Sequence, residues 1–133
     1  MKTKQPFVNA SVRLLLAAGI MRRSTALLET IGRKSGQARI TPVTNGLSGD
    51  EFWIVTEHGA HADYVHNIEA NPRVRVKVGR RWRAGSAHFV PDDTPEAALK
   101  RIVDQNPATR RNAEVIRKVQ TDMRVIRVDL DRQ

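Results

Sequence analysis

Gly32-Arg33-Lys34-Ser35-Gly36, followed by Arg39, is the densest set of groups in this chain that could bind an anion. Glycines let backbone amides approach a ligand, Ser35 adds a hydroxyl donor, and the cations offer charge-assisted hydrogen bonds to phosphate or carboxylate oxygens. The loop matches neither GxGxxG nor GxxxxGK[ST], so dinucleotide-fold and P-loop chemistry are not indicated. Composition alone favours a plainer alternative, a hairpin turn with solvated charges. His58, His61 and His66, with Glu57 and Asp63, have the residue types of a metal site. Their spacing departs from the i, i+4 histidines of HExxH and no cysteine supplements them, so we expect no metal but a polar loop lining a pocket. A histidine there could instead titrate near neutrality and relay a proton. Tyr64 opens a helix beside this loop. No serine sits in a GxSxG elbow, which argues against hydrolysis.

The whole chain has 133 residues, one domain's worth, with 23 lysines and arginines against 14 acids and a net charge of +9. Such a surface attracts anions. Residues 1–50 carry eight of the cations and only two acids, so most of the excess is N-terminal. The absence of cysteine excludes a disulfide framework, a thiolate metal site and a cysteine nucleophile, and a cytoplasmic location is the matching expectation. Residues 1–25 read as an amphipathic helical extension before a single domain at 26–133. The apolar run Leu14–Met21 is too short to cross a bilayer, and Arg22 and Arg23 replace a small-residue cleavage site. Peripheral membrane contact through this helix is the secondary reading.

The elements that must position these groups are short. Strands are expected at 26–31, 39–44 and 51–56, forming a meander, with Pro42 placing the second at an edge or bulge. Asp63 caps a helix ending near Ala70, stopped by Asn71-Pro72. Val74, Val76 and Val78 alternate with Arg75 and Lys77, the period-two signature of a strand. After a turn at Gly79-Arg80-Arg81 comes a strand at 82–90. Thr94 and Pro95 start a helix to about Val103, a second helix follows at 108–120, and a last strand runs to Leu130. Trp53 and Trp82 are expected in the core. The sum is a mainly β chain with peripheral helices, curled into a small six-stranded antiparallel barrel.

The run Leu27–Arg39 containing the GRKSG loop, then Pro42, then Asn67–Pro72 with Val74 and Val76 beyond, resembles the deazaflavin-dependent nitroreductase family. The resemblance covers about residues 26–90 and, more loosely, the chain to 130. It implies a split β-barrel related to the FMN-binding pyridoxamine-phosphate oxidases. It also implies coenzyme F420, with FMN as second choice. F420 carries a phosphodiester, a lactyl carboxylate and an oligoglutamate tail. By resemblance, Arg33, Lys34, Ser35 and Arg39 hold these anions, Pro42, Val43 and Thr44 flank the ring system, and Ile40 and Thr41 between them also contact the coenzyme. Val55, Thr56, Glu57 and His58, then Asp63, Tyr64, Val65, His66 and Asn67, add further contacts. Tyr64, His58 or His66 supplies the proton that accompanies hydride transfer to an electron-poor acceptor: a quinone, enone, unsaturated lactone or nitro compound.

The sequence departs from nitroimidazole-activating members in having no tyrosine at 108–123 and His58 in place of a lysine, which implies a different acceptor pocket. Two alternatives remain: a binding module without turnover for F420, a flavin or a hydrophobic ligand, and a nucleic-acid binder using Arg73, Arg75, Lys77, Arg80, Arg81 and Arg83. The latter stripe lacks the interleaved exposed aromatics of single-strand binders, so a nucleic-acid partner is not expected.

Overall fold

The computed structural model describes residues 23–56, 62–119 and 123–132. Their elements are β1 (Thr25–Ile31), β2 (Ala38–Thr44), β3 (Leu47–Ser48), β4 (Glu51–Val55), α1 (Asp63–Ala70), β5 (Arg73–Val78), β6 (Arg81–Phe89), α2 (Pro95–Gln105), a 3-10 turn (Pro107–Thr109), α3 (Arg110–Val119) and β7 (Val125–Leu130). The strands form one sheet in the order β2-β1-β5-β6-β7-β4-β3, with every pairing antiparallel. Strands β1 and β4 lie four places apart, about 19 Å in a flat sheet. Yet Ala26 and Leu28 of β1 share one buried cluster with Phe52 and Ile54 of β4. The sheet must therefore curl, and the split-barrel expectation holds. The N-terminal extension lies, up to Arg22, outside the described residues.

Alternation along each strand sorts side chains to two cores. Phe52 and Ile54 point inward with Val74, Val76, Ile126 and Val128, and Val65 and Ile68 of α1 plug that interior. Trp53 and Val55 point outward, where Leu99 and Ile102 of α2 and Ala113 and Ile116 of α3 cover them. Thr94 caps α2 as its sequence indicates: its hydroxyl accepts a hydrogen bond from the Ala97 amide at 3.1 Å.

Four expectations are corrected. Among the described residues the strands number seven, because Leu47–Ser48, which falls between the expected strands 39–44 and 51–56, pairs with β4. The first three long strands do not form a meander: β4 pairs with β7 rather than β2, which stays at the sheet edge as Pro42 requires. The Asn45-Gly46 turn drives this. Asn45 donates through its side-chain amide to the Arg23 carbonyl and accepts from the Leu47 amide, fixing the turn that leads from β2 to β3. Asp63 is not a cap; Ala62 holds the cap position without a side-chain bond, and the Asp63 carboxylate is instead 3.5 Å from the Arg33 guanidinium. Trp82 lies outside the main core, part-buried against Leu27 and Ile40 and under Arg75.

That outer face also explains why β1 is buried on both sides. Glu29, 7% exposed, receives two hydrogen bonds from Arg75, at 2.8 and 2.7 Å. The pairing raises the Arg75 guanidinium further above its ordinary value.

Candidate functional site

The β1–β2 loop closes on itself. The Gly32 amide donates to the Gln37 carbonyl and the Gly36 amide to the Gly32 carbonyl, both at 2.8 Å. Gly36 has φ of 71°, a conformation that other L-residues adopt only at a cost. A Cβ on Gly32 would lie 2.7 Å from the Ser35 hydroxyl and 3.2 Å from the Gln37 carbonyl oxygen, so the loop is this tight only with glycine there.

Helix α1 lies against this loop and divides by the helical period into distinct faces. Val65 and Ile68 enter the core, while Asp63, Tyr64 and Asn67 face the loop. Asn67 is 3% exposed and ties three elements together. Its carbonyl oxygen accepts from the Arg33 amide at 3.1 Å and from the Arg33 guanidinium at 2.9 Å, and its NH2 donates to the Thr30 hydroxyl at 3.2 Å. Arg33 is therefore held in place from α1. Lys34 is exposed, and among the described residues no acid pairs with it. Asn67→Ala leaves the buried Thr30 hydroxyl and the Arg33 amide without these partners. We expect a destabilisation of about 2 kcal/mol, read as a lower urea midpoint, together with weaker anion binding in the loop.

Between loop, β2 and α1 lies a cavity of about 400 Å³ lined by Gly32, Arg33, Lys34, Ser35, Arg39, Ile40, Thr41, Asp63, Tyr64 and Asn67. Three cations face one acid, an arrangement that attracts anions. Ser35 accepts from the Gln37 amide at 3.2 Å and keeps its own hydroxyl proton to donate. Among the described residues no acceptor takes the amides of Lys34 and Ser35. Ile40 adds an apolar group to the same lining as Tyr64.

The remaining expected site residues are placed elsewhere or outside the described chain. Glu57, His58 and His61 are not among the described residues. Among those that are, no cluster of His, Asp and Glu could hold a metal. His66 does not line the cavity; its Nδ1 lies 3.1 Å from the Glu69 carboxylate. Val65 is fully buried and seats the helix, and Val55 packs outward under α2 and α3. Thr56 is buried, and clamps the start of β7: its amide donates to the Arg124 carbonyl at 2.9 Å and its hydroxyl accepts from the Arg124 amide at 3.0 Å. Val43 packs against the inner core and Pro42 is exposed. Thr44 borders a separate cleft of about 280 Å³ with Arg111, Asn112 and Val115. Half of the basic β5–β6 hairpin is committed to the fold, through Arg73–Asp131, Arg75–Glu29 and Arg83–Asp50 pairs.

The resemblance implies a ligand contact for Asn67, whereas in the structure it organises the loop together with Thr30. The signal was there: a poor helix former sits inside α1 between core residues, where only a specific hydrogen-bonding duty explains it.

Residues 8–129 match the model of the F420H(2)-dependent quinone reductase family. The F420H(2)-dependent quinone reductase Rv1261c of Mycobacterium tuberculosis is 36% identical over 88 residues, covering 63% of this chain and 59% of that protein. The match thus spans about three fifths of the relative's length. Among solved structures, an F420-H2 dependent reductase (FDR-A) is 26% identical with a TM-score of 0.61, over 80% of this chain and 94% of that one. The heme storage protein HutZ from Vibrio cholerae, 14% identical with a TM-score of 0.61 over 89% of both chains, shares the fold alone.

Proposed function

The chain belongs to the F420H(2)-dependent quinone reductase family, and on that footing we propose that it reduces electron-poor small molecules with the reduced form of coenzyme F420. Quinones are the first acceptor class, ahead of enones, unsaturated lactones and nitro compounds. The observation that carries this reading is the gathering of Arg33, Lys34, Ser35, Arg39 and Tyr64 around one cavity at the start of an edge strand. The residues fit the coenzyme's chemistry: a phosphodiester and carboxylates need cations and free amides, and the GRKSG loop holds both. FMN, with one phosphate, is the second choice for the same loop.

Arg33, clamped by Asn67, presents an oriented guanidinium, whereas Lys34 acts as a mobile point charge. In this reading a molecule anchored at the loop lies beside β2, an edge strand, and the acceptor is held at the same cavity, within reach of Tyr64. The bound reduced deazaflavin supplies hydride from its ring carbon. The protein's own part is to orient two planar molecules and exclude water. Hydride brings two electrons, and with one proton it completes the conversion of a quinone to a hydroquinone. Of the expected donors among the described residues, Tyr64 lines the cavity and His66 does not, and we assign Tyr64 that proton.

Tyr64→Phe is expected to keep coenzyme affinity within about threefold while lowering turnover roughly 100-fold, the usual scale for losing a positioned acid. The test of the function is oxidation of the reduced coenzyme by menadione, followed through the deazaflavin chromophore. Catalysed oxidation supports the reading. Tight coenzyme binding without turnover of menadione, an enone or an unsaturated lactone would leave only a binding module.

A further inference from the structure

Apart from the loop cavity, another cavity of about 310 Å³ lies where β6 ends and β7 begins. Its walls are apolar: Phe89, Val90, Pro91, Pro95, Met123 and Val125. Phe89 belongs to the rim of the inner core and Val90 and Met123 to the rim of the outer one, so the cavity is the seam between the two cores. Two charged residues also border it. Asp93 is committed, bonded to Arg101 at 2.9 Å with its side chain only 15% exposed. Arg124 is held more loosely: its side chain is 41% exposed, and its guanidinium lies 3.8 Å from the Glu69 carboxylate and 6.0 Å from the centre of the Phe89 ring. Its backbone is fixed from both sides by Thr56, so the side chain can turn toward a ligand without moving β7.

We propose that this seam is a second binding site, for a small aromatic carboxylate whose ring enters the apolar cavity and whose carboxylate takes Arg124. A neutral ring forfeits the charge-assisted pair, and a simple anion forfeits the apolar walls. The site is separate from the GRKSG cavity and shares no lining residue with it.

The test titrates the full chain with 1-naphthoate and its neutral isostere 1-naphthamide, following backbone amide resonances. Naphthoate is expected to shift Phe89, Val90 and Val125 and to bind at least tenfold more tightly than the amide. Arg124→Gln, a change at a half-exposed side chain that keeps both backbone clamps, reduces naphthoate to the amide's affinity. Adding coenzyme F420 leaves the naphthoate shifts in place, whether or not the coenzyme itself binds. Shifts confined to Arg33, Lys34 and Arg39, equal affinities for the two probes, or an unchanged naphthoate affinity in Arg124→Gln would each overturn the proposal.

Discussion

Replacing Arg33 and Lys34 together by alanine lowers the affinity for coenzyme F420 by about two to four orders of magnitude, because each charge-assisted hydrogen bond to an anion contributes roughly 1.5–3 kcal/mol. The two single variants separate the roles that the structure gives these neighbours. Lys34 is exposed and pairs with no acid among the described residues, so Lys34→Ala weakens the coenzyme without moving the denaturation midpoint. Arg33 is bound to Asn67 and Asp63, so Arg33→Ala weakens the coenzyme and loosens the contact between loop and α1 as well. Affinity is read by titration of deazaflavin fluorescence, and stability by urea unfolding of the same samples. Salt should weaken binding to the wild type much more than to the double variant, since screening acts on the charges that the variant lacks. An affinity for F420 that survives the double substitution places the coenzyme's anions elsewhere.

Gly46→Ala has the largest expected effect on the fold, a loss of about 4 kcal/mol or more, in the class of substitutions that leave no room for a side chain. A Cβ at this position would lie 2.0 Å from the Trp53 carbonyl oxygen and 2.9 Å from its carbon, and both are backbone atoms that no rotamer change can move. The clash would also break the bond from the Trp53 amide to the Gly46 carbonyl, 2.9 Å long, which holds the turn after β2 against β4. Gly49 is the matched control. Its φ of 62° makes alanine strained, but nothing lies within 4 Å of its Cβ, so Gly49→Ala should cost only about 1–2 kcal/mol. Similar urea midpoints for the two variants would show that the close approach at Gly46 does not hold the turn.

Much of this geometry is legible one segment at a time. The alternation of Val74, Val76 and Val78 marks β5, Thr94-Pro95 marks the start of α2, and the glycines around Arg33-Lys34-Ser35 mark the loop. Pro42 places β2 at an edge. What a period-two pattern cannot specify is the neighbour: it says which face of a strand is buried, not which strand lies beside it. Hence β4 reads as the partner of β2 when its partner is β7, some 70 residues further along the chain. The same gap hides the outer face of β1. The sequence of β1 does not announce the partner of Glu29, because Arg75, which pairs with it, is 46 residues away. Trp82 is part-buried on that face for the same reason.

In the candidate site, residue types mark the loop, the family resemblance adds Tyr64, and the fold brings nine of the expected residues to one cavity. The distinction between ligand-facing and supporting residues was not legible, because it depends on helix phase against a neighbour. On α1, Asp63, Tyr64 and Asn67 face the loop, Val65 faces the core and His66 faces Glu69. The asymmetry between Arg33 and Lys34 is of the same kind. The buried amide of Asn67 and the carboxylate of Asp63, both on α1, separate them.

The central claim is that the Arg33–Arg39 loop region binds the anionic part of coenzyme F420. Its most direct measurement is a titration of the wild-type chain with F420 and, separately, with FMN, each at low and high salt. The account predicts saturable 1:1 binding of F420 at about micromolar concentration or tighter, salt-sensitive and stronger than that of FMN. No saturable F420 binding in that range, or FMN bound more tightly than F420, would contradict it.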